Sequence, residues 1–214
     1  MAKKVVFIAT DTDFHEEEFE YTFFPGFAVV QKQKSINSLF ASIINKYPDY
    51  KVLEVSTKSP EPLGVELSAF NLKLNGVSVE SIFQSSKVFV DGSQHDFLIT
   101  YGPSEAKKYI KENAHIPLKC FRYQGQEYPL FPKSAFYDYI YIKALVSNKS
   151  LILELAKYNV FTDIEFNDKK SINCQARTCS IFAYLLKTNQ LDKYLTSFDK
   201  FIEIYDHNSD ISLF

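Results

Sequence analysis

The sequence predicts an α+β domain that contains more helix than strand. The chain has 214 residues, of which 46% are apolar and 23% are charged, as is typical of one globular domain. Apolar residues recur mostly at helical spacing, and the few strand-like segments do not alternate regularly with helices. We therefore expect a single, mainly helical domain with a small sheet and no internal repeats.

The composition excludes several classes of protein. A formal net charge of −2 excludes a broad basic surface for nucleic acid, although it leaves room for a local basic patch. No apolar run reaches the length of a membrane span or of the apolar part of a signal peptide. The three cysteines and four histidines lack the spacing of a disulfide framework or a metal site. We expect a cytoplasmic protein without a metal or another cofactor.

The first half of the chain contains two strand-like segments followed by a helix. Residues 5–10 and 19–30 are predicted strands, and the acidic residues 16–18 between them are expected in a solvated loop or at an edge. Apolar residues at i, i+3, i+4, i+7 and i+8 predict a helix over residues 35–46, which Ser35 can cap. A strand at 52–56, a loop at 56–64 and a partly alternating segment at 67–77 follow. Ser78 is expected to cap a helix over residues 79–90.

The second half is mostly helical. Helices are predicted over residues 104–113, 134–148, 150–158, 173–187 and 191–204, and a hairpin over residues 118–130. Residues 161–166 are ambiguous between strand and loop, and residues 206–214 are expected to form a mobile tail. In domain terms, residues 1–34 form N-terminal strands that pack on a domain spanning residues 35–205.

The helix predicted after Ser78 carries a polar stripe. Glu80, Gln84 and Lys87 fall at i, i+4 and i+7 of that helix, two turns or about 10.5 Å apart end to end. The simple interpretation is a solvated face with a weak ion pair. The functional interpretation is a carboxylate and an amine that converge on one pocket, as acid–base work beside a nucleophilic amine requires.

A second polar segment precedes the helix predicted from Asn173. A helix N-terminus favours an anion such as phosphate, and Lys169, Lys170 and Arg177 add positive charge. Asp163 lies just upstream, where it is either an edge residue or a site carboxylate. An ordinary capped helix with solvated lysines remains the alternative.

Three weaker signals complete the sequence evidence. Residues 31–34, Gln-Lys-Gln-Lys, can contact a nucleic-acid backbone or form a solvated turn. Thr57 and Lys58 offer a hydroxyl and an amine suited to phosphate. The aromatic residues of the helix over residues 134–148 are mostly core by spacing, with Tyr137 and Asp138 expected to face outward.

Three short motifs resemble those of NADAR domains, the YbiA-like N-glycosidases. They are Leu67-Ser-Ala-Phe-Asn71, Leu74-Asn-Gly76, and Glu80-x-x-Phe83-Gln84-x-x-Lys87. Asn173-x-x-Ala176 resembles a later helix start of that family. In this chain Ser81 stands where the broader family has His, and Phe166-Asn-Asp-Lys-Lys replaces a Trp-Gly and glycine-rich run.

A larger part of the chain, residues 20–200, resembles the NADAR antitoxins found with DarT-class DNA ADP-ribosyltransferase toxins. This resemblance implies a mainly helical α+β catalytic domain and removal of ADP-ribose from guanine. It also implies Glu80 and Lys87 as the catalytic pair. The expected substrate-binding residues are Thr57, Lys58, Ser68, Phe70, Asn71, Gln84, Tyr137, Asp163, Lys170, Asn173 and Arg177.

The sequence thus predicts an ADP-ribosylguanine N-glycosidase that acts on single-stranded DNA, as the antitoxin to a DarT-class toxin, and releases ADP-ribose. Two alternatives stay open. One is a small-molecule N-glycosidase that acts on a ribosylated metabolite. The other is a non-catalytic protein that binds ADP-ribosylated DNA or the toxin.

Overall fold

A computed structural model of the protein describes residues 1–167 and 171–206, and it confirms a single α+β domain with more helix than strand. The strands are β1 (Ala2–Ala9), β2 (Phe14–Tyr21), β3 (Val52–Glu54), β4 (Lys73–Leu74), β5 (Val77–Ser78), β6 (Lys87–Phe89), β7 (Leu118–Tyr123), β8 (Gln126–Tyr128) and β9 (Val160–Thr162). The helices are α1 (Val29–Lys46), α2 (Pro62–Glu66), α3 (Val79–Ser85), α4 (Pro103–Asn113), α5 (Ala135–Val146), α6 (Lys149–Leu155), α7 (Gln175–Lys187), α8 (Leu191–Tyr194) and α9 (Phe198–Asp206). A short 3₁₀ helix, Asp96–Thr100, precedes α4.

The main sheet brings together strands that lie far apart in the sequence. Its strand order is β2-β1-β9-β3, in which β3 and β9 are parallel and the other pairs are antiparallel. The N-terminal strand β1 therefore lies inside the sheet, between β2 and β9. Because β3 and β9 are parallel and in register, their carboxyl ends lie side by side, and the loops that follow them begin next to each other.

The acidic residues 16–18 lie within strand β2 at the edge of the sheet, which agrees with the expected edge and excludes the expected loop. Apolar residues at both ends of β2, Phe14, Phe19 and Tyr21, are buried and hold the strand against the core. The charges are tolerated because β2 is an edge strand of the sheet. Glu18 also pairs with Lys3 at 2.6 Å, and Glu17 pairs with Lys46.

Helix α1 begins at Val29, so residues 31–34 are helical and do not form a turn. Ser35 is an interior residue of this helix, and it is not the N-cap that its sequence position suggested. Its hydroxyl accepts a hydrogen bond from the backbone N–H of Phe24 at 2.9 Å and donates to the carbonyl of Gln31 at 3.2 Å. The buried serine thus ties the incoming chain to the helix.

The last predicted helix is divided into α8 and α9 by residues 195–197. Residues 207–214, most of the expected tail, lie outside the described residues, as do Lys169 and Lys170. The hairpin of β7 and β8 and the helices α4 and α7 follow the sequence prediction closely.

In the main core, α7 packs against β1 and β9 of the main sheet, and α5 packs against α7. The largest fully buried side chains include Tyr141, Phe136, Phe161 and Phe182. Cys120, Cys174 and Cys179 are buried free thiols. Within residues 1–167 and 171–206, no cluster of His, Cys, Asp or Glu could hold a metal ion. Over the same residues, every helix is too short or too polar to cross a bilayer.

Candidate active site

A pocket of about 410 Å³ opens where the loops after β3 and β9 meet the N-terminal half of α3. Its volume lies in the range of small-molecule sites, roughly 300–1,000 Å³. Hydroxyl, amide and carboxyl groups supply much of its wall. The lining residues are Ser56, Thr57, Ser68, Ala69, Phe70, Glu80, Phe83, Gln84, Lys107, Tyr137, Asp163, Glu165, Phe166, Ser171, Ile172, Asn173 and Gln175.

Helix α3 is fixed at its N-terminus by hydrogen bonds to two loops. The Ser78 hydroxyl accepts from the backbone N–H of Ser81 at 3.1 Å, which confirms the predicted cap. Ser81 in turn donates to the carbonyl of Tyr101 at 2.9 Å. The backbone N–H of Glu80 donates to the carbonyl of Ala69, also at 2.9 Å. These bonds hold the carboxylate of Glu80 at the pocket wall.

The predicted helix over residues 79–90 is too long, because α3 ends at Ser85. The hydroxyls of Ser85 and Ser86 both donate to the carbonyl of Ile82, at 3.0 and 2.7 Å. Serine hydroxyls that compete for helical carbonyls weaken helix propagation. The chain then enters β6, where Lys87 lies opposite Phe121 of β7. The assumption that Glu80 and Lys87 lie two turns apart on one helix is therefore wrong.

The turn out of α3 nevertheless brings the three polar side chains into one hydrogen-bonded chain. Lys87 Nζ donates to Gln84 Oε1 at 2.8 Å, and Gln84 Nε2 donates to Glu80 Oε1 at 2.8 Å. All three side chains are largely buried. The amide of Gln84 therefore connects the amine to the carboxylate.

The Lys87 amine is poised to lose its charge near neutral pH. Its Nζ lies 4.9 Å from the ring centroid of Phe83. Burial lowers the pKa of Lys87 to about 8, against the opposing effect of Glu80. A lysine in this state supplies a neutral amine far more readily than a solvated one.

Lys107 of α4 faces the same carboxylate from the other side. Its Nζ lies 3.8 Å from Glu80 Oε1 and 5.5 Å from the ring centroid of Phe70. The side chain is 61% exposed, so this ion pair contributes little to stability. It does place a positive charge at the mouth of the pocket.

A second carboxyl group, that of Asp163, also lines the pocket. Asp163 follows β9 directly, is 5% exposed, and accepts hydrogen bonds at Oδ1 from the backbone N–H groups of Glu165 and Phe166, both at 3.0 Å. Glu54, fully buried at the end of β3, lies close enough to act on it electrostatically. Burial, followed by the charge of Glu54, raises the pKa of Asp163 to about 7.

Two further polar side chains, those of Gln175 and Ser68, line the pocket. Gln175 donates to the carbonyl of Val55 at 2.7 Å and accepts from the backbone N–H of Ala69 at 2.8 Å, which ties the start of α7 to two pocket loops. Ser68 Oγ is buried and, within the part of the chain that the structure describes, is the one buried side-chain polar atom without a hydrogen-bond partner. A buried hydroxyl of this kind is available to a ligand.

A comparison with protein families gives this pocket its context. The family described as DarT1-associated NADAR antitoxin matches residues 2–212. The chain belongs to this family. No curated protein matches it. The hydrogen-bonded residues Glu80, Gln84 and Lys87 of this NADAR antitoxin belong to one of the motifs by which its sequence resembles the family.

Most of the expected site residues of this NADAR antitoxin meet in the pocket, whereas Lys87 is not among the lining residues and is connected to the pocket through its hydrogen bond to Gln84. Those that line it are Thr57, Ser68, Phe70, Glu80, Gln84, Tyr137, Asp163 and Asn173. Lys58 and Asn71 are not among the lining residues, and the Asn71 amide donates to the carbonyl of Val65 at 2.8 Å. Lys170 lies outside the described residues.

Arg177 is directed into the core and away from the pocket. Its Nη1 donates to Asp138 Oδ2 at 2.6 Å, and both side chains are buried. Tyr205 also donates to Asp138, and Glu16 lies 3.8 Å from the guanidinium. The expectation of a solvent-facing Asp138 is therefore wrong, because Asp138 needs this buried partner. Tyr137 is likewise buried, in the pocket wall, and does not face outward.

Helix α7 begins at Gln175, two residues later than predicted, and Asn173 lies in the loop before it. The lysines expected to contact DNA have partners on the protein. Lys32 pairs with Glu165 at 2.9 Å, and Lys34 lies 6.0 Å from the ring centroid of Phe24. Glu165, the partner of Lys32, lines the pocket.

The sequence interpretation missed Lys107, Gln175 and Glu54. The first is a lysine on an ordinary amphipathic helix, and its position facing Glu80 depends on how α3 and α4 pack. Gln175 was hidden among the polar residues that precede α7. The only sequence signal for Glu54 is a carboxylate in a short apolar strand, where a buried charge requires partners.

Proposed function

We propose that this antitoxin is an N-glycosidase that removes ADP-ribose from guanine in single-stranded DNA modified by its DarT-class toxin. The observation that carries the proposal is the hydrogen-bonded chain of Glu80, Gln84 and Lys87, of which the first two line a polar pocket. Membership of the DarT1-associated family supplies the toxin context.

This arrangement suits cleavage at the anomeric carbon of ribose. Positive charge develops on the sugar as the base departs, and the Glu80 carboxylate can stabilise that charge and accept a proton. The Lys87 amine, with a pKa of about 8, can attack the carbon and form an imine with the opened sugar, or orient the neighbouring hydroxyls. Glu80 and Lys87 are therefore the proposed catalytic pair.

The rest of the pocket suits ADP-ribose and a base. The Ser68 hydroxyl, which lacks a partner on the protein, and the polar groups of Thr57 and Asn173 can bond ribose or phosphate. Phe70 and Tyr137 present rings for a base. We place the pyrophosphate near residues 171–173, and Lys170 is the expected source of positive charge there.

Recognition should depend on the modified base and only slightly on the DNA backbone. A net charge of −2 and the pairing of Lys32 with Glu165 leave few cations for phosphate. We expect weak binding to unmodified single strands and a shallow salt dependence, equivalent to about two to three phosphate contacts.

The deciding experiment compares ADP-ribose release from a modified oligonucleotide with release from the free modified nucleoside. Faster cleavage of the oligonucleotide supports the DNA substrate. Faster cleavage of free ribosylated compounds would favour the small-molecule glycosidase.

A binding protein without catalysis makes a different prediction. It would protect cells that express the toxin just as well when Lys87→Ala replaces the wild type. We expect this variant to lose protection, with its expression level and circular dichroism spectrum as controls.

A further inference from the structure

The pocket contains a second carboxyl group whose surroundings differ from those of Glu80. Asp163 and Glu80 both line the pocket, on walls supplied by the loop after β9 and by α3. Tyr137, also in the wall, is within electrostatic reach of both groups: burial, then Glu80 and, more weakly, Asp163 raise the pKa of its hydroxyl. The two carboxyl groups therefore act on one shared space.

Asp163 is held beside a third carboxyl group by the pairing of β3 and β9. Glu54 Oε1 accepts from the backbone N–H of Ile164 at 2.8 Å, and Oε2 accepts from the Thr162 hydroxyl. These are the two sequence neighbours of Asp163, so the Glu54 carboxyl is anchored on either side of it. Glu54 has no exposed surface, and two adjacent buried carboxyl groups disfavour double ionisation.

One amine acts against this repulsion. Lys4 of β1 donates to the carbonyl of Phe166 and lowers the pKa of both carboxyl groups. Burial nevertheless dominates, so the pKa of Glu54 is raised and that of Asp163 lies at about 7. The ionisable groups that act on Asp163 or respond to its charge are Lys4, Glu54, Tyr137, Tyr141, Cys174 and Cys179.

We infer that Asp163 is the proton donor to the departing base, and that Glu54 is the positioning residue that keeps the proton on it. This inference rests on the proposed function. The C1–N bond breaks, its electron pair goes to the base nitrogen, and that nitrogen takes the proton of Asp163. The new bond at C1 is made by water or by Lys87, and the proton of that nucleophile goes to Glu80. Where Lys87 makes the bond, water then hydrolyses the resulting imine, which releases ADP-ribose and restores the amine. Exchange with solvent returns the proton to Asp163.

The test uses two substrates that differ in the need for a proton. ADP-ribose linked to guanine has a leaving group that must be protonated, whereas ADP-ribose linked to 4-nitrophenol does not. Asp163→Asn should reduce kcat/KM on the guanine substrate by about 10²-fold or more. On the nitrophenyl substrate it should stay within a few-fold of wild type. Equal losses on both substrates, or no loss on either, would overturn the inference.

The proton-holding role of Glu54 has a separate readout in the pH profile. Glu54→Gln removes the carboxyl that raises the pKa of Asp163, so Asp163 loses its proton at lower pH. The ratio of kcat/KM at pH 8 to that at pH 6, measured on the guanine substrate, should fall several-fold. Glu127→Gln, a surface carboxylate paired with Arg122, is the matched control. An unchanged ratio in Glu54→Gln would contradict the role of Glu54.

The wild type separates this inference from the proposed function. If the wild type cleaves neither guanine-linked substrate nor modified DNA, the proposed function fails. If it cleaves them and Asp163→Asn does so equally well, only the inference about Asp163 fails.

Discussion

The two sides of the pocket are built in opposite ways. Glu80 accepts a hydrogen bond from Gln84, which is itself bonded to Lys87, and it lies 3.8 Å from the amine of Lys107. Asp163 lies beside another buried carboxyl, that of Glu54. Donor and cationic groups face the first carboxyl group, whereas burial beside Glu54 raises the pKa of the second. A pair of carboxyl groups with contrasting surroundings is how many enzymes separate an acid from a base.

The two sides also differ in how far apart their residues lie in the chain. Glu80, Gln84 and Lys87 fall within eight consecutive positions, and a short helix followed by a strand brings them together. The Asp163 side draws on three strands, β1, β3 and β9, through Lys4, Glu54 and Asp163. Local structure therefore accounts for the first side, and the sheet topology accounts for the second.

The largest expected loss of activity comes from replacing the carboxylate of Glu80. Glu80→Gln keeps the shape of the side chain but removes the carboxylate that stabilises positive charge on the sugar. We expect kcat to fall by about 10³-fold with the circular dichroism spectrum unchanged. Glu18→Gln, on the exposed face of β2, serves as the control. Turnover within tenfold of wild type would exclude Glu80 from the chemistry.

Removing the amine should cost nearly as much. Lys87→Ala is expected to lower kcat by about 10² to 10³-fold, whereas Lys157→Ala, in the exposed turn after α6, should have no effect. Because the pKa of Lys87 is about 8, the fraction of neutral amine rises as the pH increases toward 8. With the nitrophenyl substrate, whose departure does not need the proton of Asp163, trapping of an imine by borohydride should therefore be more efficient at pH 8 than at pH 7.

The adduct identifies the role of Lys87. Mass mapping after trapping should find an ADP-ribose-sized addition at this residue. Turnover without any adduct would make the lysine an electrostatic stabiliser and not a nucleophile.

The sequence predicted the local part of this site and much of the helical fold. Ser78 as a cap, the helices α4 and α7, and the polar set of Glu80, Gln84 and Lys87 are all visible as short-range patterns. Two local features are less clear from the sequence. The acidic run is compatible with a loop or an edge, and only the sheet shows that it lies on the edge strand β2. The apolar spacing after Ser78 predicts a longer helix, because it does not take into account the paired serines that end α3.

The remaining features depend on contacts between distant segments. Arg177 looked like a phosphate ligand because its buried partner, Asp138, lies 39 positions away. The proximity of Asp163 to Glu54 depends on the parallel pairing of β3 with β9. No periodicity within either segment encodes that pairing.

Substitution of Gly64 tests how tightly the chain packs around Glu54, the neighbour of Asp163. A β-carbon at Gly64 would lie 1.9 Å from the carbonyl oxygen of Glu54 and 2.3 Å from Ser59 Oγ. Gly64→Ala should therefore destabilise the fold by about 1–3 kcal/mol. Gly102→Ala is the matched control, since its nearest contact would be Glu105 Oε2 at 3.5 Å. Thermal unfolding measures both, and equal midpoints would show that β3 can shift without cost.

The smallest loss of activity is expected for Lys107, the exposed lysine near Glu80. Lys107→Ala removes a charge 3.8 Å from Glu80, but the side chain is 61% exposed, so solvent and salt screen the interaction. We expect kcat/KM to fall only a few-fold at low salt and the difference to shrink at high salt. Lys108→Ala, the next residue along α4, should match the wild type. A loss as large as that of Lys87→Ala would move Lys107 into the catalytic group.

The most direct test of the account is the identity of the products. The wild-type protein is incubated with a single-stranded oligonucleotide that carries one ADP-ribosylated guanine, and both products are analysed by mass spectrometry. The account predicts free ADP-ribose and an oligonucleotide whose guanine is restored, in equal amounts. An intact substrate after prolonged incubation, or cleavage within the pyrophosphate that leaves ribose phosphate on the guanine, would contradict it.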